Sequence, residues 1–325
     1  MSGIDEMNDP NRRHQEIFEL PGRVIAPLGK IIEAYPVTGG LSTDRKYKVH
    51  FYGYDGAYLL RLFDEDSLAL KRAEYEALNR MQAMTVHCSR PIAIGRWEPD
   101  GPFFLLVSYI EGTDAAQLLP LSPNPQQLRI GMQAGEALSR IGCYEAPEGM
   151  EAWGERCRRK VERELAALQT YGIRTRAAQA AAEKIRRDLH LAEGRPSVFL
   201  HGRFGPENLI VQMGRLAGVI GFERFGWGDP LYEFAGLGLQ SRQASPLFCT
   251  GQILGYHGGQ EPEPAFWRLY GLYAAVGAIA LLAEAAESGI EHRKERLERA
   301  IGLTDRLERD HEGFANDRPS WFAAF

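Results

Sequence analysis

The sequence predicts an α+β chain with two lobes, a small antiparallel sheet carrying one helix and then a larger, mainly helical part. Three observations predict it. From Val24 to Ala115 the residues alternate and turn as strands do. After Gly112 the spacing of apolar residues changes to that of helices. From Pro230 onward the pattern is helical almost throughout.

Residues 1–20 read as a polar, charged arm that becomes helical, without the apolar stretch of a secretory signal. Residues 21–111 are the expected first lobe. "RKYKVHFYGYDGAYLLRLF" alternates and turns at Asp55-Gly56, a hairpin signal. "SLALKRAEYEALNRMQAM" places Leu68, Leu70, Ala73, Ala77, Leu78 and Met81 at helical spacing. "PIAIGRW" and "PFFLLVSYI" add two strands, and a five-stranded sheet is expected. Residues 112–325 are the expected second lobe. "SPNPQQLRIGMQAGEALSRIG" opens with Ser and Pro and runs on as a helix. Residues 151–193 are rich in Ala, Glu and Arg, with "GIRTR" as the break between two helices. A solvated hairpin and a substrate-facing insert are both open readings of them. "SVFLHGRFGPENLIVQMGRLAGVIGF" returns to short strands and loops, and "EHRKERLERAIGLTDRLERDHEG" is a charged amphipathic helix.

Composition narrows the function classes. Of 325 residues, 44% are hydrophobic and 25% charged, as in a soluble globular protein. A formal net charge of −5 supplies no basic field for nucleic acid. Cys88, Cys143, Cys157 and Cys249 form no CxxC pair, which suits free thiols in a reducing cytoplasm. The most apolar run, Leu269 to Ala283, is shorter than the ~18–20 residues of a membrane span and is expected to be a buried helix. The expected protein is cytoplasmic, with no membrane and no nucleic-acid partner.

Two stretches of the first lobe bear on chemistry. In "VTGGLSTDRKYKV", Gly39 and Gly40 let a backbone approach a phosphate and expose N–H donors, and Ser42 adds a hydroxyl. Ordinary turn chemistry accounts for the same residues. Arg61 sits inside "YLLRLF", where a cation needs a partner, and Glu74 on the following helix is the natural one. Kinases fix a cation against nucleotide phosphates with such a strand-to-helix pair, although an edge-strand arginine facing water also explains Arg61.

Two stretches of the second lobe carry a resemblance. "HGRFGPEN", residues 201–208, resembles the catalytic loop of the aminoglycoside phosphotransferase and choline kinase families, HGD followed by a spacer and Asn. "GVIGFERFGWGDPLYEFA" resembles their metal-binding segment, I-D-F/W-E followed by GDP and a further acid. The likeness runs from about Val24 to about Ala300 and includes the TGG-S/T loop, the LRL strand and "SYIEG". It implies a protein-kinase-like fold that binds ATP or GTP and passes phosphate to a hydroxyl of a small molecule. It implies a nucleotide site of Gly39, Gly40, Ser42, Arg61, Glu74, Ser108, Tyr109 and Ile110. It further implies Asn208 as a metal ligand, Asp229 as a brace for the catalytic loop and His201 as a hydrogen-bonded core residue.

The pattern breaks at two positions. The family's catalytic Asp aligns with Arg203, and arginine, with a pKa above about 12, is no base at neutral pH. The family's chief metal-binding Asp aligns with Gly221, which offers Mg²⁺ no oxygen. The site becomes roughly three charge units more positive, which disfavours a divalent cation and favours bare phosphate, onto which arginine forks. Glu207 and Glu223 are the neighbouring acids that would substitute or hold a metal weakly. The expected protein is a pseudokinase, a nucleotide binder that transfers no phosphate. The alternatives are an active phosphotransferase of antibiotic or metabolite hydroxyls using Glu207 and Glu223, and an interaction module that binds no nucleotide. Trp153, Glu155, Trp267 and Tyr270 are candidates for holding a small polar or cationic molecule.

Overall fold

The computed structural model describes residues 20–38, 42–98 and 101–322. The expected N-terminal arm and the glycines Gly39 and Gly40 lie outside them. The chain divides into two compact units. One takes the described residues up to Ala83 together with His87–Glu111, and the other takes Met84–Val86 and the chain from Gly112.

The first unit is one antiparallel sheet. Its strands are β1 (Val24–Ile25), β2 (Gly29–Pro36), β3 (Arg45–Phe51), β4 (Tyr58–Phe63), β5 (Pro91–Arg96) and β6 (Phe103–Ser108), in the order β1-β2-β3-β4-β6-β5. Six strands stand where the sequence predicts five. The extra one, β1, pairs only Val24 with Lys30 and Ile25 with Gly29, too short a run to show alternation. Alternation along β3 and β4 buries Tyr47, Val49, Phe51, Tyr58, Leu60 and Leu62 in a single core. The β3–β4 turn takes positive φ at Gly53 and Gly56, 78° and 89°. Helix Leu68–Ala83 buries Ala77, Leu78 and Met81, and with them the charged Lys71 and Glu74. Leu70 is exposed, against its place in the helical pattern.

The second unit is mainly helical. Short strands β7 (Thr113–Asp114), β8 (Val198–Leu200), β9 (Leu209–Gln212), β10 (Arg215–Val219) and β11 (Gly226–Gly228) form two small sheets, β10-β9-β7 and β11-β8. Helix Pro264–Glu287 is apolar all round, with Tyr270, Leu272, Tyr273 and Ile279 fully buried. It has 24 residues, long and apolar enough to cross a membrane, yet 78% of its most apolar window is buried inside the fold. Helices Trp153–Thr170 and Arg176–Asp188 pack against it. They part at residues 171–175, where Gly172 takes a φ of 67°. The Ala-, Glu- and Arg-rich segment is therefore half core, burying Cys157, Val161, Ala181 and Ile185.

Helices Asn124–Ile141 and Pro246–Tyr256 approach so closely that their backbones touch. A Cβ at Gly131 would lie 3.0 Å from the Gln252 nitrogen, and one at Gly251 would lie 3.0 Å from the Met132 nitrogen. Gly135 and Gly255 meet the opposite backbone in the same way.

Candidate functional site

Arg61 enters the first unit's core on β4, and Lys71 and Glu74 enter it from one face of the next helix, three residues apart. Arg61 Nη1 donates to Glu74 Oε1 at 2.6 Å, and Arg61 Nε donates to Asp44 Oδ2 at 2.7 Å. Lys71 Nζ donates to the same Asp44 oxygen at 2.6 Å and lies 3.7 Å from Glu74 Oε2. The side chains of Arg61, Asp44, Lys71 and Glu74 are 7%, 4%, 4% and 3% exposed. The Arg61–Glu74 pair is thus present, in a buried group with Asp44 and Lys71. Burial pushes the Asp44 carboxyl up, but Arg61 and Lys71 outweigh it and hold the group below its ordinary value. Sequence reasoning misses Asp44 and Lys71. The available signal for Lys71 is its place one helical turn before Glu74, which puts both on one face.

The other predicted nucleotide contacts are local. Ser42 Oγ accepts the Asp44 N–H at 3.2 Å. The Ser108 N–H donates to the Arg90 carbonyl at 2.8 Å and the Tyr109 N–H to the Ala57 carbonyl at 3.0 Å, so sheet and turn hold both amides. Ile110 follows, partly exposed.

In the second unit, β8 leads into the loop His201–Asn208. His201 is fully buried. Its Nε2–H donates to the Ile220 carbonyl at 2.8 Å, and its Nδ1 accepts the Arg203 N–H at 3.4 Å. Burial lowers its pKa to about 4 against the pull of those bonds. Glu233 accepts the Gly202 N–H at 2.8 Å and faces the His201 and Phe204 amides. Burial pushes its carboxyl up to about 7, against the pull of the three amides.

Asp229 does something else. Its fully buried carboxylate takes Arg195 Nε at 2.6 Å, Arg195 Nη2 at 3.0 Å, the Tyr273 hydroxyl at 2.8 Å and the Leu231 N–H at 3.0 Å. The brace on the loop amides is Glu233 rather than the expected Asp229. The reason is geometric: Asp229 caps the tight turn Pro230–Gly236 and points into the helical core, whereas Glu233, inside that turn, reaches the loop. Both acids lie in the quoted segment, and spacing alone does not separate them.

Arg203 Nε donates to Glu207 Oε1 at 3.0 Å, with both side chains 32% exposed. Asn208 Nδ2 donates to the Arg203 carbonyl at 2.9 Å. Gly221 is left-handed, φ 82° and ψ 36°, and a Cβ there would lie 2.8 Å from Asn208 Cγ and nearer still to its Oδ1. Glu223 is partly buried in the turn Phe222–Arg224. Among the described residues no group of three or more His, Cys, Asp or Glu is arranged to hold a metal. The side chains present, an asparagine next to an arginine and a glycine, do not fit Mg²⁺, which takes carboxylate oxygens in near-octahedral array.

A cavity of about 380 Å³ opens beside this loop within the second unit. Trp153, Lys160, Arg203, Glu207, Arg224 and Glu233 are on its wall. Of the residues expected to hold a small molecule, Trp153 alone lines it. Trp267 and Tyr270 are core residues packed on each other and on Phe266, and Glu155 faces solvent 3.9 Å from Arg158. Aromatic and apolar periodicity cannot separate a cavity wall from a core.

Comparison with known proteins places these features. The model of a family described as phosphotransferase enzyme family, APH, matches residues 34–270. The structure resembles a thermostable mutant of aminoglycoside phosphotransferase APH(4)-Ia in its apo form, at 18% identity over 86% of this chain and 95% of that one, with a TM-score of 0.62. It also resembles the GDP complex of wild-type aminoglycoside 2'-phosphotransferase-IIIa, at 13% identity over 93% and 100%, TM-score 0.66. ADP-bound aminoglycoside phosphotransferase APH(2'')-Ib is 16% identical over 92% and 98%, TM-score 0.59. At such identities the likeness shows the fold, α+β and kinase-like with a sheet-rich and a helical part. No curated protein matches the chain.

Proposed function

The chain belongs to the phosphotransferase enzyme family, and from that premise we propose that it is a pseudokinase, a member that keeps the fold and a nucleotide site without passing phosphate on. One observation carries the reading. Arg203 stands where the family motif has its acceptor-orienting aspartate, and its guanidinium is held by Glu207 at 3.0 Å. A guanidinium takes no proton at neutral pH, and loss of a positioned base costs about 10²- to 10⁴-fold in rate. The pairing also engages Glu207, one of the two acids available as a substitute. At the second altered position, Asn208 crowds the left-handed Gly221 and leaves little room for any side chain.

Nucleotide binding is supported by the buried Arg61–Glu74 pair and by relatives whose structures hold GDP, ADP or AMP-PNP. A related ternary complex also holds hygromycin B. The cavity here has three cations, Lys160, Arg203 and Arg224, and three acids, Glu207, Glu233 and Glu284. That balance lacks the acid excess that favours a polycation, and it suits a small polar molecule of mixed charge. Four free cysteines fit a reducing cytoplasm.

The test is turnover. The protein is incubated with Mg²⁺, γ-labelled ATP or GTP, and a panel of aminoglycosides and hydroxylated metabolites. The expected result is no transfer above the buffer rate. Transfer that disappears in E207Q and E223Q variants would replace the pseudokinase by an active phosphotransferase with substitute acids.

A further inference from the structure

We propose that Arg61 and Lys71 together form a phosphate site, and that the chain's own Asp44 occupies it, so that a nucleotide or other polyphosphate binds only by displacing that carboxylate. The inference rests on the nucleotide part of the reading above. It does not depend on whether phosphate is transferred.

The geometry is that of a bound anion. Arg61 Nε at 2.7 Å, Arg61 Nη2 at 2.6 Å and Lys71 Nζ at 2.6 Å converge on one oxygen, Asp44 Oδ2. A guanidinium and an ammonium converging on an anionic oxygen can hold a phosphate oxygen as well as a carboxylate one. The charge balance says the same. Arg61 and Lys71 bring two positive charges, and Glu74 neutralises one of them at 2.6 Å. Among the four described side chains, loss of Asp44 would leave one buried positive charge in excess, and buried charge requires a partner. The site therefore has one anion's worth of unmet demand, which Asp44 supplies.

Asp44 is also the member that can leave. Arg61 is fixed in the middle of β4, paired on both sides, and Lys71 and Glu74 are fixed on a helix. Asp44 lies one residue before β3 begins, and among the described residues its backbone N–H bonds only the nearby Ser42 hydroxyl. Moving it out costs local contacts rather than a strand. A triphosphate brings more negative charge than the carboxylate it replaces. Its apparent affinity is reduced by the fraction of molecules in which Asp44 has left.

The test is calorimetric titration of tripolyphosphate, and of ATP with chelator, into the wild type and into D44N. D44N is expected to bind both about tenfold or more tightly than the wild type, through a site no longer occupied. Adding R61M to D44N should abolish the gain. Because D44N leaves a buried positive charge and its fold is at risk, urea denaturation of wild type and D44N with and without tripolyphosphate is the second measurement. The ligand should raise the unfolding midpoint of D44N more than that of the wild type. In the wild type, saturating ATP should speed hydrogen exchange across residues 42–48. Equal affinity in wild type and D44N overturns the inference, as does an equal midpoint shift in both or binding by neither. The cluster is then a brace of the sheet and nothing more. These results leave the absence of transfer, read by turnover, where it was.

Discussion

Arg61 and Arg203 are both arginines paired with a glutamate, and the two units treat them differently. Arg61 is 7% exposed and closed in by two acids and a lysine. Arg203 is 32% exposed and held by a single glutamate. In the first unit the proposed phosphate site is filled by an internal anion, Asp44. The second unit has a different residue at the motif position itself. A ligand-binding capacity that is filled can be recovered by moving one side chain. One whose chemical group is absent cannot. Burial also sets the energetic scale, because removing a partner from a buried ion group leaves an uncompensated charge, while an exposed pair is screened by water.

Four measurements test that contrast, in falling order of expected effect. R61M leaves Asp44 and Glu74 facing Lys71 alone, and urea denaturation should show a loss of about 3–5 kcal/mol. A loss below 1 kcal/mol would mean water reaches the cluster in solution. Next is the pH dependence set by His201, whose folded pKa of about 4 lies below the ordinary 6.5. Between those values the unfolded chain binds more protons, so the stabilisation is complete above pH 6.5 and is lost as pH falls toward 4. The difference in unfolding free energy between wild type and H201Q should change by about 3 kcal/mol across that window. A flat difference would show that the loop carrying Arg203 opens to solvent. Third, G221D forces a side chain against Asn208 at a left-handed residue and should lower stability by about 1–3 kcal/mol in the same assay. An unchanged value would mean Asn208 swings aside freely. Last, R203M should cost less than about 1 kcal/mol, as partly exposed pairs do. A larger cost would put Arg203 in the same class as Arg61.

What the sequence shows of this site follows chain proximity. Arg61 and Glu74 can be paired from the sequence, because a cation inside "YLLRLF" needs an acid and the next helix offers one at a buried position. Asp44 cannot be found that way. It stands in a polar stretch where an aspartate is ordinary, and only the pairing of β3 with β4 brings it to Arg61. The loop at His201 is legible as a motif, whereas the choice of Glu233 over Asp229 as its brace depends on how one tight turn is wound. The sheet is legible from alternation down to the strands long enough to alternate, and β1, with two residues, is not. Aromatic residues report burial without saying on which side of a wall they stand, so the sequence does not separate Trp153, which lines the cavity, from Trp267, which does not.

The four glycines Gly131, Gly135, Gly251 and Gly255 have a consequence for anyone who reads this chain by saturation mutagenesis. Each would place its Cβ on the backbone of the opposite helix, so no rotamer relieves the overlap. Even alanine, usually the mildest replacement in a helix, should fail there. A tolerance map will show these positions as intolerant as any that touch a ligand, although none lines the cavity. Intolerance to alanine with no dependence on side-chain polarity marks where two helices interlock and lets such positions be set aside before residues are assigned to chemistry.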